Sequence, residues 1–231
     1  MTERSVGRST DKNIFLHFGS GDKMTNLRTY SNDDNLVANR REGIAKAAST
    51  LFIKKGYIKT TIREIAEACD ISIGTLYHYI GSKDDILYLL SDISYKKSNQ
   101  LVEQVKIEMR LLKSTDKMRL TLQKYLQHVD EYQDMIVFWF QEAKNMRGDA
   151  RDLLFKNEYF LINLFNVLLR DGQKSGEFKE FDVNLISNNI IVMCDIWAFR
   201  RWYLRKNYTF EEFKEKQIKS ILNMVCKEEV T

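Results

Sequence analysis

An all-α fold follows from three features of this sequence. It has no proline, and only ten glycines stand among its 231 residues, so little interrupts a helix. Leu, Ile, Lys and Glu are abundant. Apolar residues recur three and four apart, and no region sustains the period-two alternation of a half-buried strand.

Taken from the N-terminus, residues 1–34 are polar except for the patch Ile14–Phe18. They lack a signal peptide's apolar core and small-residue cleavage site, and they read as a disordered arm. Met24 offers a later translation start. Helix one covers 36–55, with Ile44, Ala47, Ala48, Leu51 and Phe52 as its inner stripe, and Gly56 ends it. Thr61 and Glu64 form a capping box that opens helix two, Ile62–Cys69. Its apolar residues Ile62, Ile65, Ala66 and Cys69 fall at i, i+3, i+4 and i+7, so one face is buried. Asp70 tolerates the left-handed turn. Ile71 plugs that turn, and Ser72 caps helix three, Ile73–Ile80. Leu76 and Ile80 point inward. Gly81 breaks the helix, and Ser82 caps helix four, which starts at Lys83 and runs past residue 100. Further helices follow near 115–131, 133–146, 150–173, 182–206 and 209–227. Ser114-Thr115 starts one of them, and Thr209 with Glu212 makes a second capping box.

Two short helices joined by a tight turn form a helix-turn-helix, whose second helix enters the major groove of DNA. Helix three suits that task. Ile73 can touch a thymine methyl, and Thr75 can bond a base or a phosphate. Tyr77 and His78 can donate to phosphates, and Tyr79 flanks them. Gly74 permits a close backbone approach. No Asp or Glu stands between Ile71 and Ser82, in a chain with 32 acids. Thr61, Arg63 and Ser72 border the same surface. Lys83 sits beside amides that favour an anion and reads as a phosphate clamp. Arg41, with Arg40, opens helix one beside the backbone. An alternative places Arg28, or Arg40 and Arg41, in the minor groove as a basic arm. The competing reading of the whole unit is a three-helix scaffold that never meets DNA.

These residues resemble the TetR family of bacterial transcriptional regulators. The matching positions are Thr60, Thr61, Ile65, Ala66, Ser72, Gly74, Thr75, Leu76, Tyr77, Tyr79, Ser82 and Lys83, preceded by Phe52, Gly56 and Tyr57. Cys69-Asp70 replaces the family's Ala-Gly, and Ile80 replaces its Phe. The motif resemblance covers roughly residues 40–90. The segment Leu169–Phe178 also resembles the loop after a long helix in many members. The resemblance implies a three-helix DNA-binding domain over 35–82 and a helical ligand-binding and dimerisation domain over 83–231. It implies a cytoplasmic homodimer on a palindromic double-stranded operator, a repressor that a small effector releases.

Composition bounds the rest. Net charge is only +4: residues 1–97 carry 15 basic and 12 acidic side chains (+3), the remainder 21 and 20 (+1). Bulk charge therefore does not argue for nucleic acid; local placement does. Cys69, Cys194 and Cys226 lie far apart, as free thiols in a reducing compartment do. His17, His78 and His128 show no metal-ligand spacing. No apolar run approaches the ~18 residues of a membrane span. No catalytic triad, glycine-rich phosphate loop or metal cluster is present, and neither an enzyme nor a cofactor is expected.

Two aromatic segments point to a cavity between helices. The candidate lining is Phe138, Trp139, Glu142, Phe165, Trp197, Arg200 and Arg201, an arginine being suited to an acidic ligand group. Asn188 and Asn189 are further polar candidates, and core packing is the competing explanation for each aromatic. The segment from Trp202 to Phe213 looks like regulators of fatty-acid or acyl-CoA metabolism, which makes an acyl-CoA the leading effector. A multidrug sensor controlling efflux is the alternative; it would need a buried acid, for which Glu142 and Asp195 are the candidates. The resemblance implies a dimer seam, for which Leu161, Leu164, Phe165 and Leu168 with Ile186, Ile190, Met193 and Trp197 are the candidates; a buried face within the monomer is the competing explanation.

Overall fold

The computed structural model describes residues 34–109 and 111–227. The expected N-terminal arm, apart from Asp34, lies outside the described residues, as do Met24 and Arg28. The described chain folds into nine α-helices: α1 (Asp34–Lys55), α2 (Ile62–Ala68), α3 (Ile73–Tyr79), α4 (Lys83–Glu108), α5 (Ser114–Glu142), α6 (Gly148–Lys174), α7 (Val183–Phe199), α8 (Arg201–Asn207) and α9 (Phe210–Val225). A 3-10 turn at Ala143–Asn145 joins α5 to α6. The one β-bridge among the described residues pairs Phe178 with Cys226.

Both predicted capping boxes form, Thr61 with Glu64 and Thr209 with Glu212. Gly56 takes φ +82°, the left-handed conformation that ends α1. Asp70 takes φ 53°, so an acid does here what glycine does elsewhere. The start of α5 is capped from a distance. Lys113 offers no side-chain cap, and the Glu177 carboxylate accepts the Ser114 and Thr115 amides, each at 3.0 Å.

The helices enclose two apolar cores. The head core joins Ile44 and Phe52 of α1, Ile65 of α2, Leu76 of α3 and Ile86 and Leu90 of α4. Phe138 and Trp139 of α5 and Leu154 of α6 complete it, so the body reaches into the head. The body core collects Val102 of α4, Leu122 and Val129 of α5, Phe165 of α6, Trp197 of α7 and Leu222 of α9.

The break expected between helices 115–131 and 133–146 is present as a kink inside α5, at non-helical Tyr132 (φ −109°, ψ 17°), where the Gln133 side-chain Nε2 donates to the Asp130 carbonyl at 2.8 Å; the second segment ends at Glu142 and not at 146. The helix expected over 182–206 breaks at Arg200 (φ −114°, ψ 24°) into α7 and α8. Arg201 then pairs with Asp134, and Arg205 donates to Gln133 at 2.7 Å, which docks α8 beside the bend in α5.

The expected dimer seam also needs correction. Leu161, Leu164, Phe165, Leu168, Ile190 and Trp197 are buried in the body core, and Ile186 and Met193 pack against it. The apolar residues that α7 and α8 leave exposed are Leu185, Val192, Ile196, Trp202 and Tyr203. No helix among the described residues is long and apolar enough to cross a membrane.

Candidate functional site

The head presents α3 outward. Leu76 is fully buried, whereas Ile73 is 43% and Tyr77 49% exposed. Gly74 and His78 are exposed beside them, and Thr75 and Tyr79 are half-buried. The Ser72 hydroxyl accepts the Thr75 amide at 2.9 Å and lies 2.8 Å from the Thr75 hydroxyl. A Cβ at Gly74 would meet only that Ser72 hydroxyl, at an ordinary 3.7 Å, so the interior does not require glycine there. On α2, Arg63 is exposed and paired with Glu67 at 3.0 Å. Thr61 is exposed at the capping box. Lys55 and then the Thr61 amide hold Glu64 down to about 2.

Two basic residues do internal work instead of waiting at the surface. The Lys83 ammonium donates to the carbonyls of Tyr57 (2.8 Å), Thr60 (2.9 Å) and Ile58 (3.4 Å), and it lies 4.2 Å from the Tyr57 ring centroid. It is a clamp on the α1–α2 loop. Arg41 is only 6% exposed, and its Nε donates to the Tyr79 carbonyl at 3.0 Å, tying α1 to the end of α3. Burial depresses its pKa, against the nearby charge of Asp85.

Behind the head lies a cavity of ≈ 600 Å³. Its walls come from five helices. α1 supplies Glu42, Lys46 and Ser49; α4 supplies Leu90, Ser94, Lys97 and Ser98. α5 supplies Tyr125, His128, Tyr132 and Trp139, α6 supplies Asn157, Glu158 and Leu161, and α7 supplies Asn188, Ile191 and Asp195. Exposed wall residues such as Lys46, Lys97 and Asn188 mark its open side, and Tyr125, Ser98 and Asp195 its buried end.

The buried end is acidic. Asp195 is 9% exposed and accepts from the Tyr125 hydroxyl at 3.0 Å. Burial, then the charge of Glu158, pushes the Asp195 carboxyl up to about 7 against that bond. Burial also raises Glu158. Glu158 itself is exposed, so it stands toward the open side of the cavity, where its charge still reaches Asp195. Burial lowers the His128 pKa.

Two family models match this chain. One describes bacterial regulatory proteins of the tetR family, over residues 44–88. The other describes a tetracycline-repressor-like C-terminal domain, over residues 112–225. The chain belongs to the TetR family. This TetR-family regulator is 27% identical over 191 residues to the HTH-type transcriptional regulator HbdR of Aromatoleum sp. (strain CIB), with 82% of each chain covered. Its fold is similar to that of AibR, solved in complex with isovaleryl coenzyme A and operator DNA, at 16% identity and a TM-score of 0.67 over 81% of this chain and 98% of that one. It also matches FadR of Bacillus subtilis in complex with stearoyl-CoA, at 20% identity and a TM-score of 0.64 over 78% and 97%. The protein is a DNA-binding transcriptional regulator and not an enzyme.

Of the seven residues expected around the effector, Trp139 alone lines the cavity. Its Nε1 donates to Ser94 at 3.3 Å. Phe138 turns the other way and stacks on Phe52, ring centroids 5.8 Å apart. Phe165 packs against Tyr125 in the body core. Trp197 is buried there too and donates to Asp130 at 2.7 Å. Arg200 lies over the Trp202 ring, and Arg201 pairs with Asp134. Glu142 accepts the Tyr57 amide at 3.3 Å and the Asn145 side chain at 2.7 Å, so it joins α5 to the head and not to the cavity. Sequence reading missed Tyr125, His128, Asn157 and Glu158. A spacing signal existed, since Tyr125, His128, Tyr132 and Trp139 follow one α5 stripe at three, four and seven.

Proposed function

We propose that this regulator is a homodimeric repressor that leaves its palindromic operator when a small effector with an apolar body fills the cavity. One observation carries the reading: α1 of the head supplies Glu42, Lys46 and Ser49 to the cavity wall. An effector there touches the reading head itself, so its binding energy can differ between the two head positions. Differential binding of that kind is what shifts a population. An acyl-CoA thioester is the leading class. Lys46 and Lys97 on the open side suit its phosphates, and the AibR and FadR structures contain such esters.

DNA contact falls to Ile73, Gly74, Thr75, Tyr77 and His78 of α3, flanked by Thr61, Arg63, Ser72 and Tyr79. A second copy is placed on the exposed apolar face of Leu185, Val192, Ile196, Trp202 and Tyr203. Two heads then meet half-sites about one helical turn, or a multiple of it, apart.

Fluorescence anisotropy on the DNA upstream of its own gene, with scrambled competitor and a panel of acyl-CoA esters, tests this. Competitor-resistant binding released by one ester supports it. Equal operator affinity with and without every effector that binds the cavity sinks it. A sensor of cationic drugs is the second reading, favoured by Asp195 and Glu158 in the wall. A scaffold with a silent head predicts no operator binding at all.

A further inference from the structure

The buried end of the cavity holds acceptors with too few donors. Asp195 receives one neutral hydrogen bond, from Tyr125. Glu158, exposed on the neighbouring stretch of wall, has no hydrogen-bond or ion-pair partner among the described residues, and its charge is felt at Asp195. Asn157, on the same wall, is 7% exposed, and its Oδ1 is buried without a partner. Neither Lys46 nor Lys97 pairs with these acids. A buried carboxyl at Asp195, with a second acid beside it and no cation to offset the pair, is costly for the folded protein. An effector made only of hydrocarbon would strip their remaining water and add to that cost. An effector with an O–H or N–H at its buried end would remove it.

We propose that Asp195 and Glu158 select effectors whose apolar body ends in a hydrogen-bond donor, a hydroxyl or a protonated amine. The inference rests on the cavity being the effector site, and within the ester class it narrows the effector to acyl chains that carry a donor in place of a plain hydrocarbon tail. Tyr125 orients Asp195 and leaves its second oxygen free to accept. A hydroxyl gives one bond to one carboxyl. An ammonium can bridge both and also supplies the missing positive charge, so the two donor types are separable.

The experiment titrates the intact protein with octylamine, 1-octanol and methyl octyl ether. Trp139 in the cavity wall reports binding by fluorescence, and calorimetry supplies the affinities. The amine or the alcohol should bind at least tenfold more tightly than the ether, and whichever does names the donor. Asp195→Asn with Glu158→Gln should reduce the amine-to-ether affinity ratio at least tenfold. An ether that binds as well as both donors overturns the proposal, and that comparison needs only the wild-type protein. A ratio unchanged in the double variant overturns it too. Operator release is scored separately. Donors that bind in this order without releasing operator sink the repressor mechanism and keep the selectivity. Release by an ester, with no donor preference, sinks the selectivity alone.

Discussion

At Gly172 the chain has no room for a methyl group. A Cβ there would stand 2.0 Å from the ring of Phe178, which is fully buried. Gly172→Ala should therefore destabilise the body by roughly 1–3 kcal/mol, through overpacking. An unchanged urea midpoint would show that the ring can swing aside. Asp195 makes a prediction of opposite sign. Its carboxyl rises from an ordinary 3.8 to about 7 on folding, because burial and Glu158 disfavour its charge. The folded state thus holds a proton that the unfolded chain has lost, and stability falls as pH rises from about 4 to about 7. Asp195→Asn should raise the melting temperature at pH 8 and leave it nearly unchanged at pH 3; the ceiling is roughly 4 kcal/mol at one pKa unit per 1.36 kcal/mol. Lys83 separates two roles. If its ammonium mainly holds the α1–α2 loop, Lys83→Met lowers the melting temperature with little change in the salt dependence of operator binding. A salt slope lower by about one, without loss of stability, would instead return it to a phosphate.

Among the elements, α2 and α3 were legible because one continuous stretch carries their caps, turn and outward face. Thr61, Asp70, Ser72 and Leu76 each do what local chemistry predicts. The body was less legible. Nothing in the spacing of residues 182–206 marks Arg200 as a break; the docking of α8 through Arg201 on Asp134 accompanies it. The ligand wall failed for a related reason. Phe138 and Trp139 are neighbours of similar character, yet one meets Phe52 and the other faces the cavity. Helical periodicity shows that a stripe is apolar, and the neighbouring helices decide which part stays open. The outward reading of α3 is checked by Tyr77→Ala. Operator affinity should fall at least tenfold, while the melting temperature moves little because the side chain is half exposed. A Tyr77 variant that binds operator normally would take α3 off the DNA. In α2, Thr61→Ala removes the cap and should cost about 1 kcal/mol, seen as a lower urea midpoint.

For the molecule as a whole, head and body share atoms, not just a linker. The Phe52–Phe138 stack, the Glu142 bond to the Tyr57 amide and the long α4 all cross between them. Phe138→Leu keeps most of the volume and loses the ring contact. It should leave effector binding near wild type but weaken the effect of effector on operator affinity by several-fold, comparing operator Kd with and without saturating effector. Undiminished release would place the coupling elsewhere, in α4. Leu90, Trp139 and Leu154 belong at once to the head core and to the cavity wall. That double membership constrains how the sensor can change over evolutionary time or in engineering. A substitution at any of the three that suits a new effector also repacks the head. Drift in effector preference is therefore cheaper through Asn188 and Ile191 of α7, which line the cavity without entering the head core, and a search for altered inducers should begin with that helix.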